Sequence, residues 1–378
     1  MKILYVATVR SHVGQFHIPF IERLNELGCT VDGAYRDNSE QKQGLDTSAL
    51  NKEYDVPFSR SPYSTSNIKA YKVLKKIINE NDYDAVHCHT PMGGVVARLA
   101  VKNSKKKNIK VIYTVHGFHF YKGSPKFNWT FFYPVEKYLS NYTDCIVTIN
   151  NEDYELARTD DFKAAKVCKV DGVGVDLTQF APVTKEEKAA LREEYGFSQD
   201  DFIMIYPADF CERKNQMMLL KALEIILEKH KNVKLLMPGL QDYIAECQQY
   251  IDEHSLGEYA IPMGYRRDIP KLIGLSDISL SSSRQEGLPI NLIEAMAMGN
   301  PIVTSDVRGN NDLVQDGVNG YLVKLNDSET MAERIIQLIE NPELIDEFGK
   351  AGLELVQKYS VENAVREIEE IYKELELI

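Results

Sequence analysis

Short apolar segments alternate with helical patterns along almost the whole chain, and this alternation limits the folds that it can adopt. Ile3–Thr8 is a continuous apolar run of the kind found in strands that are buried on both faces, and Ala85–His89 is predicted to be a further strand. Amphipathic patterns such as Ile68–Asn79 lie between such runs. Strands separated by helices favour a parallel sheet covered by helices on both faces. The predicted fold class is therefore α/β with a doubly wound sheet.

The alternation is interrupted near Asp171–Pro182, where glycine, aspartate and proline replace the apolar pattern, and it restarts at Phe202–Tyr206. A chain of 378 residues is also too long for one core of usual size. We therefore predict two Rossmann-like domains that face each other across a cleft, over residues 1–178 and 179–360. A last helix, residues 361–378, is expected to pack back on the first domain. Ligands are expected at the carboxyl ends of the strands.

The same patterns predict the other elements. Further strands are predicted at Cys29–Ala34, Lys110–Val115, Cys145–Ile149, Val233–Met237, Tyr259–Met263, Asp277–Leu280 and Ile302–Ser305. Further helices are predicted near Pro19–Gly28, Gly94–Lys102, Val135–Leu139, Gln216–Lys229, Tyr243–Glu253, Ile269–Leu275, Pro289–Met298, Glu343–Lys358 and Val361–Glu376. Val9–His17 and Asp37–Ser66 are predicted to be irregular.

Charge and composition exclude several classes of function. The formal net charge is −12, and the acidic residues are concentrated in the second half, which argues against a nucleic-acid partner. The chain lacks both the GxGxxG fingerprint after its first strand and a P-loop, so a dinucleotide oxidoreductase is weakly supported. No stretch reaches the ~20 apolar residues of a membrane span, and a cytoplasmic location is expected.

Metal and disulfide sites are not predicted either. The six cysteines are scattered without a close pair in the sequence, which signals neither a zinc knuckle nor a disulfide framework. His17, His89 and His119 lie at loop or strand ends but lack the spacing of metal ligands. We therefore expect no zinc site.

Two glutamates in Ser281–Asp306 are the main functional signal. Pro289 opens a predicted helix and Gly299 closes it, with Glu286 in the preceding turn and Glu294 among apolar residues of the helix. A carboxylate in such surroundings needs a partner or a ligand. The alternative is that Glu294 lies on an exposed face and that Glu286 is an ordinary turn acid.

Backbone amides beside these glutamates predict an anion site. The amides of the first helical turn have no intrahelical acceptors, and together with the helix dipole they attract phosphate oxygens. The two carboxylates would repel phosphate, so they fit best as acceptors from sugar hydroxyls. The combination predicts a nucleotide-sugar site. The amides concerned belong to Leu288, Ile290 and Asn291.

Taken together, the chain resembles the family 4 retaining glycosyltransferases of the GT-B fold, in particular the bacterial enzymes that build capsular, exopolysaccharide and lipid-linked glycans. The resemblance spans nearly the whole chain. It is carried by an ordered set of segments: Thr114–Gly117, Pro207–Phe210, Arg213–Asn215, Met263–Asp268 and the pair Glu286 and Glu294.

The resemblance implies roles for these residues. Glu294 would accept hydrogen bonds from the ribose hydroxyls, and Glu286 would contact hydroxyls of the transferred sugar. Lys214 would stabilise the charge that grows on the leaving diphosphate. The amides that follow Glu286 would bind the diphosphate, and they belong to Gly287, Leu288 and Ile290.

Further roles follow from the same resemblance. This chain has Asp209 where the family usually has an arginine, and Arg213 is the candidate replacement. His116 would donate a hydrogen bond beside the donor sugar rather than act as a general base. The remaining candidates are Gly14, which would let the backbone approach the diphosphate or the acceptor, and Gly264 and Tyr265, which would contact the base.

The activity implied is transfer of a sugar, expected to be an N-acetylhexosamine, from a UDP-sugar to a glycan or polyprenyl-diphosphate-linked acceptor in bacterial polysaccharide biosynthesis. Configuration would be retained, and neither a metal nor another cofactor is expected, because helix amides and Lys214 replace the metal at the diphosphate. A non-hydrolysing UDP-sugar epimerase and a non-catalytic sugar-binding protein remain alternatives.

Peripheral contact with the inner face of a membrane is a further expectation. Phe118–Tyr133 is unusually rich in aromatic residues, which favour membrane interfaces. Two lysine clusters would add attraction to anionic lipids. Solvated helix faces and ordinary aromatic packing are the alternatives. The clusters are Lys69, Lys72, Lys75 and Lys76, and Lys102, Lys105, Lys106, Lys107 and Lys110.

Overall fold

The computed structural model describes residues 1–40, 44–159, 161–240 and 244–378. These residues form two compact units. The first comprises Met1–Gly174 together with Val361–Ile378, and the second comprises Val175–Ser360. The chain passes from one unit to the other after Gly174, slightly before the boundary predicted after residue 178.

The first unit is built on a seven-stranded parallel sheet. Its strands are β1 (Lys2–Val9), β2 (Thr30–Arg36), β3 (Lys52–Asp55), β4 (Ala85–His89), β5 (Lys110–Val115), β6 (Cys145–Thr148) and β7 (Lys166–Lys169). They lie in the order β3-β2-β1-β4-β5-β6-β7. The strand order reverses between β1 and β4, which is the switch point where doubly wound sheets bind ligands.

Helices cover both faces of this sheet. They are α1 (Arg10–Phe16), α2 (Ile18–Glu26), α3 (Ser66–Glu80), α4 (Pro91–Lys102), α5 (Lys126–Ser140) and α6 (Asn151–Ala157). Leu4, Leu74, Val86 and Ala97 are fully buried in one core cluster that joins strands to helices. Burying a leucine or valine side chain contributes about 1.5–3 kcal/mol.

The second unit repeats the plan with a six-stranded parallel sheet in the order β10-β9-β8-β11-β12-β13. The strands are β8 (Phe202–Ile205), β9 (Val233–Pro238), β10 (Ala260–Gly264), β11 (Ile278–Ser281), β12 (Ile302–Ser305) and β13 (Gly320–Val323). The helices are α7 (Lys185–Tyr195), α8 (Gln216–Leu227), α9 (Ala245–Glu253), α10 (Ile269–Leu275), α11 (Ile290–Ala297), α12 (Asn310–Leu313), α13 (Ser328–Glu340) and α14 (Pro342–Leu355), followed by a 3-10 helix, Val356–Tyr359. The switch point lies between β8 and β11.

Neighbouring residues of β9 explain the continuous apolar runs of the sequence. Leu235 belongs to the cluster that includes Leu223 of α8, whereas Leu236 belongs to the cluster that includes Leu272 of α10. Successive side chains of a strand point to opposite faces of the sheet. Both faces of this sheet are covered, so neighbouring positions in the middle of the strand, Leu235 and Leu236, are both apolar and buried.

The C-terminal helix α15 (Val361–Glu374) belongs to the first unit. Glu369 accepts a hydrogen bond from Arg23 of α2 at 2.7 Å, and Tyr372 bonds through its hydroxyl to Nδ1 of His87 in β4 at 2.9 Å. Tyr372 is fully buried, so the helix contributes to the core of a unit whose other elements lie far earlier in the sequence.

Two segments that were predicted to be irregular contain secondary structure. The prediction for Val9–His17 is wrong, because Arg10–Phe16 forms α1. This helix is too short and polar to give a periodic pattern, although Val13 is fully buried. The prediction for Asp37–Ser66 is wrong at Lys52–Asp55, which forms β3. This edge strand is mostly exposed and therefore lacks the apolar residues of a buried strand.

Other differences are smaller. Besides α1 and β3, the helices and strands that were not predicted are α6, α7, β7, α12, β13 and α13. The predicted start of α9 at Tyr243 lies outside the described residues. Cys145 and Cys168, which are distant in sequence, lie on neighbouring strands with their Sγ atoms 3.8 Å apart. In the described part of the chain, no helix is both long and apolar enough to cross a membrane.

Candidate active site

Most of the predicted donor-site residues follow the two strands at the switch point of the second sheet. Arg213 and Lys214 lie between β8 and α8, and Glu286 lies between β11 and α11. Carboxyl ends of adjacent parallel strands meet at one edge of a sheet, so the two loops are neighbours.

Hydrogen bonds fix these two loops to each other. The backbone N–H of Arg284 donates to the carbonyl of Arg213 at 2.8 Å. The carbonyl of Lys214 accepts from Ser282 Oγ at 3.0 Å and from the Tyr206 hydroxyl at 3.1 Å. With its backbone anchored in this way, the Lys214 side chain loses little further freedom when it binds an anion.

Glu286 receives both basic side chains. Its Oε1 atom lies 2.7 Å from Lys214 Nζ and 3.0 Å from Arg213 Nη1, and the residue is only 8% exposed. Burial alone would raise the pKa of Glu286, but Lys214 and Arg213 outweigh it and hold the pKa below its usual value. Burial also opposes the charge of Lys214, but Glu286 raises its pKa above the usual value. The group therefore holds two positive charges against one negative charge.

Gly309, which the sequence did not single out, supports the Glu286 loop. Its φ angle is +84°, and a Cβ atom at this position would lie 2.6 Å from the carbonyl oxygen of Gly287. The preceding residue, Arg308, donates from Nε to the carbonyl of Glu286 at 3.0 Å. A residue with a side chain at 309 would displace the loop. A glycine before a short polar helix was the signal available in the sequence.

The start of α11 leaves backbone donors available. Leu292 N–H bonds to the Pro289 carbonyl at 3.1 Å, which closes the first turn. Four amides before it make no hydrogen bond within the described ranges 1–40, 44–159, 161–240 and 244–378. They belong to Gly287, Leu288, Ile290 and Asn291. Exposed donors at a helix start attract anions, as the sequence predicted for this segment.

Glu294 lies in α11 without a compensating partner. Burial raises its pKa to about 8, and no hydrogen bond or charge from the described residues offsets that effect. Asn291 precedes it by three residues, so the two side chains share one side of the helix. Asn291 Nδ2 is buried and also lacks a partner among the described atoms. The sequence had suggested only the amide of Asn291, although its spacing from Glu294 was a usable signal.

Three other predicted or discussed residues of the second unit lie on other segments of that unit. Gly264 ends the edge strand β10 with φ +66°, and Tyr265 beside it is 59% exposed. Asp209, which stands in the place of the family's arginine, accepts a hydrogen bond from the backbone N–H of Leu240 at 2.9 Å. Within the described residues, no hydrogen bond or ion pair joins these side chains to Glu286.

His116 lies in the first unit at the carboxyl end of β5, in a cluster of four histidines. Its Nε2 atom is 3.3 Å from His12 Nε2, which is 3.2 Å from His17 Nε2, and His89 completes the group. Burial lowers the pKa of His116 to about 4 and the pKa values of the other three well below the usual value. All four imidazoles are therefore uncharged at neutral pH.

The expectation that the histidines are scattered is thus wrong for His17 and His89. Spacing along the chain could not reveal this cluster, because its members come from α1, its junction with α2, β4 and β5. His119 lies elsewhere, with its ring stacked on Phe132 at a centroid distance of 4.7 Å. Gly14 lies within α1, and a Cβ atom there would be 3.1 Å from Leu45 Cβ.

An apolar groove of about 690 Å³ begins next to His116. Gly117 and Phe118 line it at this end, and Val95 of α4 and Phe131 of α5 line its sides. A second groove of about 830 Å³ lies between α3 and α4 and shares three lining residues with the first: Pro62, Met92 and Val95. The two grooves are therefore adjacent along α4.

Comparison with known proteins assigns the chain to a family. Residues 187–374 match the family described as glycosyl transferases group 1, and residues 2–150 match the family described as glycosyl transferase 4-like. A putative glycosyltransferase of Bacillus subtilis, EpsD, is 39% identical over 98% of this chain and 96% of its own length. The chain belongs to the glycosyltransferases.

Two further comparisons describe the glycosyltransferase more closely. It is 26% identical to an Escherichia coli protein named UDP-Gal:alpha-D-GlcNAc-diphosphoundecaprenol alpha-1,3-galactosyltransferase, over 81% of this chain and 78% of that protein. A crystal structure of Anabaena HepE in complex with UDP and glucose superposes with a TM-score of 0.81, at 19% identity over 99% of this chain and all of HepE. The glycosyltransferase thus has two Rossmann-like domains of the GT-B type.

Proposed function

We propose that this glycosyltransferase takes a sugar, an N-acetylhexosamine, from a UDP-sugar and transfers it with retained configuration to a glycan or a lipid-linked glycan. The observation that carries the proposal is the partly buried carboxylate of Glu294, which has no hydrogen-bond or ion-pair partner among the described residues and lies one helical turn from open backbone donors. A buried carboxylate without a partner is costly unless a ligand supplies hydrogen-bond donors. Ribose hydroxyls are such donors.

The diphosphate would bind where positive potential is greatest. Lys214 and Arg213 exceed the charge of Glu286 by one unit, and the amides of Gly287, Leu288 and Ile290 add fixed partial charges. The β-phosphate becomes more negative as the glycosidic bond breaks, and Lys214 stabilises that charge. Donor binding by these groups needs no metal ion at the diphosphate.

In this mechanism the acceptor hydroxyl attacks from the side that the leaving group vacates. A β-phosphate oxygen accepts the proton, so no protein side chain serves as general base. Glu286 is directed by Lys214 and Arg213 and accepts hydrogen bonds from hydroxyls of the transferred sugar. His116 donates a hydrogen bond to the same sugar. Gly264 and Tyr265 contact the base.

The acceptor is proposed to carry a polyprenyl diphosphate. The grooves along α4 are apolar and begin at Gly117, beside His116, so a prenyl chain could lie in them with its sugar near that residue. The name of the Escherichia coli relative specifies a lipid-linked acceptor of this kind. Exposed Phe127 and Trp129 of α5 would then lie at the membrane surface.

Product analysis tests the proposal against its two alternatives. The purified chain is incubated with UDP-GlcNAc, UDP-GalNAc, UDP-Gal or UDP-Glc, each with and without a polyprenyl-diphosphate sugar, and the products are separated by mass. Transfer requires the acceptor and yields UDP and an extended acceptor with an alpha linkage. An epimerase would change the nucleotide sugar without an acceptor, and a binding protein would release no UDP.

Two variants separate the roles of the glutamates. Glu294→Ala is expected mainly to raise KM for the donor, because it removes acceptors for the ribose. Glu286→Ala is expected mainly to lower kcat, because its contacts are with the transferred sugar. Full activity in both variants would refute the proposed site.

A further inference from the structure

The four-histidine cluster of the first unit has the composition of a metal site. His12 lies in α1, His17 follows that helix, and His89 and His116 end the adjacent strands β4 and β5. One ligand nitrogen from each residue can be chosen so that all four lie within 4.8 Å of one another. Three separate parts of the chain therefore bring imidazoles to one point at the switch of the first sheet.

Two nitrogen–nitrogen distances within the cluster match those between ligands of one ion. In a tetrahedral site with metal–nitrogen distances of about 2.0–2.1 Å, ligand nitrogens lie about 3.3–3.4 Å apart. The Nε2 atom of His12 is 3.3 Å from that of His116 and 3.2 Å from that of His17. Both distances are long for a strong hydrogen bond and close to the tetrahedral edge.

Hydrogen bonds among the described residues do not satisfy all the ring nitrogens of the cluster. His12 Nε2 faces two other Nε2 atoms, although a neutral imidazole nitrogen is either one donor or one acceptor. His89 is 1% exposed, and neither of its ring nitrogens has a partner among the described atoms. An ion that accepts lone pairs from all four rings would satisfy them together.

His87 provides an internal comparison. It lies two residues before His89 on β4, with the ring centroids 4.2 Å apart. Its Nδ1 bonds to the Tyr372 hydroxyl at 2.9 Å and its Nε2 to Thr114 Oγ1 at 2.8 Å. The unit therefore satisfies a buried histidine where no ligand is needed. His89 has no such partners among the residues that the structure describes.

We propose that His12, His17, His89 and His116 bind one divalent transition-metal ion with zinc-like preferences. An all-imidazole set suits zinc and its neighbours and offers no oxygen ligand for magnesium or calcium. The ion would lie in the first unit, to which all four histidines belong. It would fix the ring of His116, so the metal site and the transferase site share one residue. This proposal does not depend on the proposed sugar transfer.

Metal binding is measured directly on the untagged full-length chain. The protein is stripped with a chelator, and Zn²⁺ is added in competition with a chromophoric indicator. We expect one bound ion per chain, and His12→Gln and His89→Gln should each weaken binding about tenfold or more. Because His89 is buried, circular dichroism must show that its variant is folded, and the partly exposed His12 gives a second variant that disturbs less packing.

Controls distinguish this site from other zinc-binding groups. His230→Gln, on a partly exposed histidine of the second unit, should bind Zn²⁺ as the wild type does. Cys168→Ser removes the thiol beside Cys145 and should also leave binding unchanged. Co²⁺ in the wild type should show the visible absorption of a tetrahedral nitrogen site, without the charge-transfer band of thiolate ligands.

The thermal unfolding temperature tests Zn²⁺ binding independently of transferase activity. Zn²⁺ should raise the Tm of the wild type and of His230→Gln but not that of His12→Gln. The proposal is overturned if the wild type binds no ion at micromolar Zn²⁺, or if both cluster variants bind as tightly as the wild type. Failure of sugar transfer with intact zinc binding would instead count against the proposed function alone.

Discussion

Lys214 Nζ donates to Glu286 Oε1 at 2.7 Å, and this contact joins the two loops that follow the switch-point strands of the second unit. The lysine keeps its charge in a nearly buried position because Glu286 is beside it. A bound diphosphate would compete for the same ammonium group. The pair therefore holds the cation in place before the donor arrives, which reduces the reorganisation needed at the transition state.

Lys214→Ala should lower kcat/KM about 100-fold or more, because it removes a charge that stabilises the leaving group. Arg213→Ala should have a smaller effect, since its side chain is about half exposed. Steady-state kinetics with a saturating acceptor measure both. Lys221→Ala, an exposed lysine of α8, is the matched control and should retain wild-type rates. Equal rates for Lys214→Ala and Lys221→Ala would contradict the proposed role.

Glu294 should make stability depend on pH. The folded protein raises its pKa from 4.5 to about 8 through burial, so between these values the folded state binds more protons than the unfolded state. Stability should therefore fall as pH rises through this range, by an amount on the order of 3 kcal/mol. Urea unfolding of the wild type and Glu294→Gln at pH 5 and pH 8.5 measures it. If Glu294→Gln changes the free energy of unfolding by the same amount at both pH values, this explanation is ruled out.

Gly309→Ala should reduce both stability and turnover. The new Cβ would lie 2.6 Å from the Gly287 carbonyl at a left-handed φ, which is expected to cost about 1–3 kcal/mol and to shift the Glu286 loop. Gly317→Ala is a matched control, since its φ is +74° and no atom lies within 4 Å of the added Cβ. Unfolding experiments measure the stability of both variants, and steady-state kinetics should show a loss of turnover in Gly309→Ala alone. The same turnover in both variants would argue against a supporting role.

Substitutions in the apolar groove should affect only acceptors with long lipid chains. Val95→Ala and Phe131→Ala remove apolar surface from the groove walls and should raise KM for a long-chain polyprenyl acceptor roughly tenfold. A short-chain analogue with the same sugar should be unaffected. Val318→Ala, an exposed valine of the second unit, is the control. An equal change for both acceptors would indicate a general defect instead of a lipid contact.

Removing positive charge should weaken membrane binding. Lys105 and Lys107 are exposed and have no ion pair within the described residues, whereas Lys106 pairs with Asp82. Each lysine near an anionic surface contributes about 1 kcal/mol. Flotation with anionic liposomes should therefore recover less of a Lys105→Gln, Lys106→Gln, Lys107→Gln variant than of the wild type. A second triple variant, Lys221→Gln, Lys229→Gln, Lys231→Gln, controls for net charge. Equal recovery of the wild type and both triple variants would exclude a role for the cluster.

Buried strands were the most predictable part of the fold. Ala85–His89, Lys110–Val115 and Ile302–Ser305 have the predicted bounds, because strands covered on both faces are rich in apolar and β-branched residues. Edge strands such as Lys52–Asp55 lack that signal. Helix α7 was missed although its capping box, Thr184 with Glu187, and its C-terminal Gly196 were visible in the sequence. Its largely charged surface gave no apolar pattern.

The candidate site was predictable only where local sequence carries the chemistry. Glu286, Glu294 and the open amides between them lie within one turn and one helix, so the sequence placed them together. The ion pairs of Glu286 with Lys214 and Arg213 were not predicted, because the family resemblance assigned the three residues to one donor site without placing them in contact. The histidine cluster had neither kind of signal, because strand ends from distant parts of the chain meet only when the sheet has formed.

The position of α15 has a consequence for how the protein is made on the ribosome. His87 is among the early residues to emerge, yet its hydroxyl partner, Tyr372, is translated only after all of Val175–Ser360. The second unit can therefore fold during translation, whereas the first must keep its unfinished surface exposed until the last helix arrives. Chaperones that act on nascent chains would therefore bind to the first unit, whose surface stays incomplete during translation.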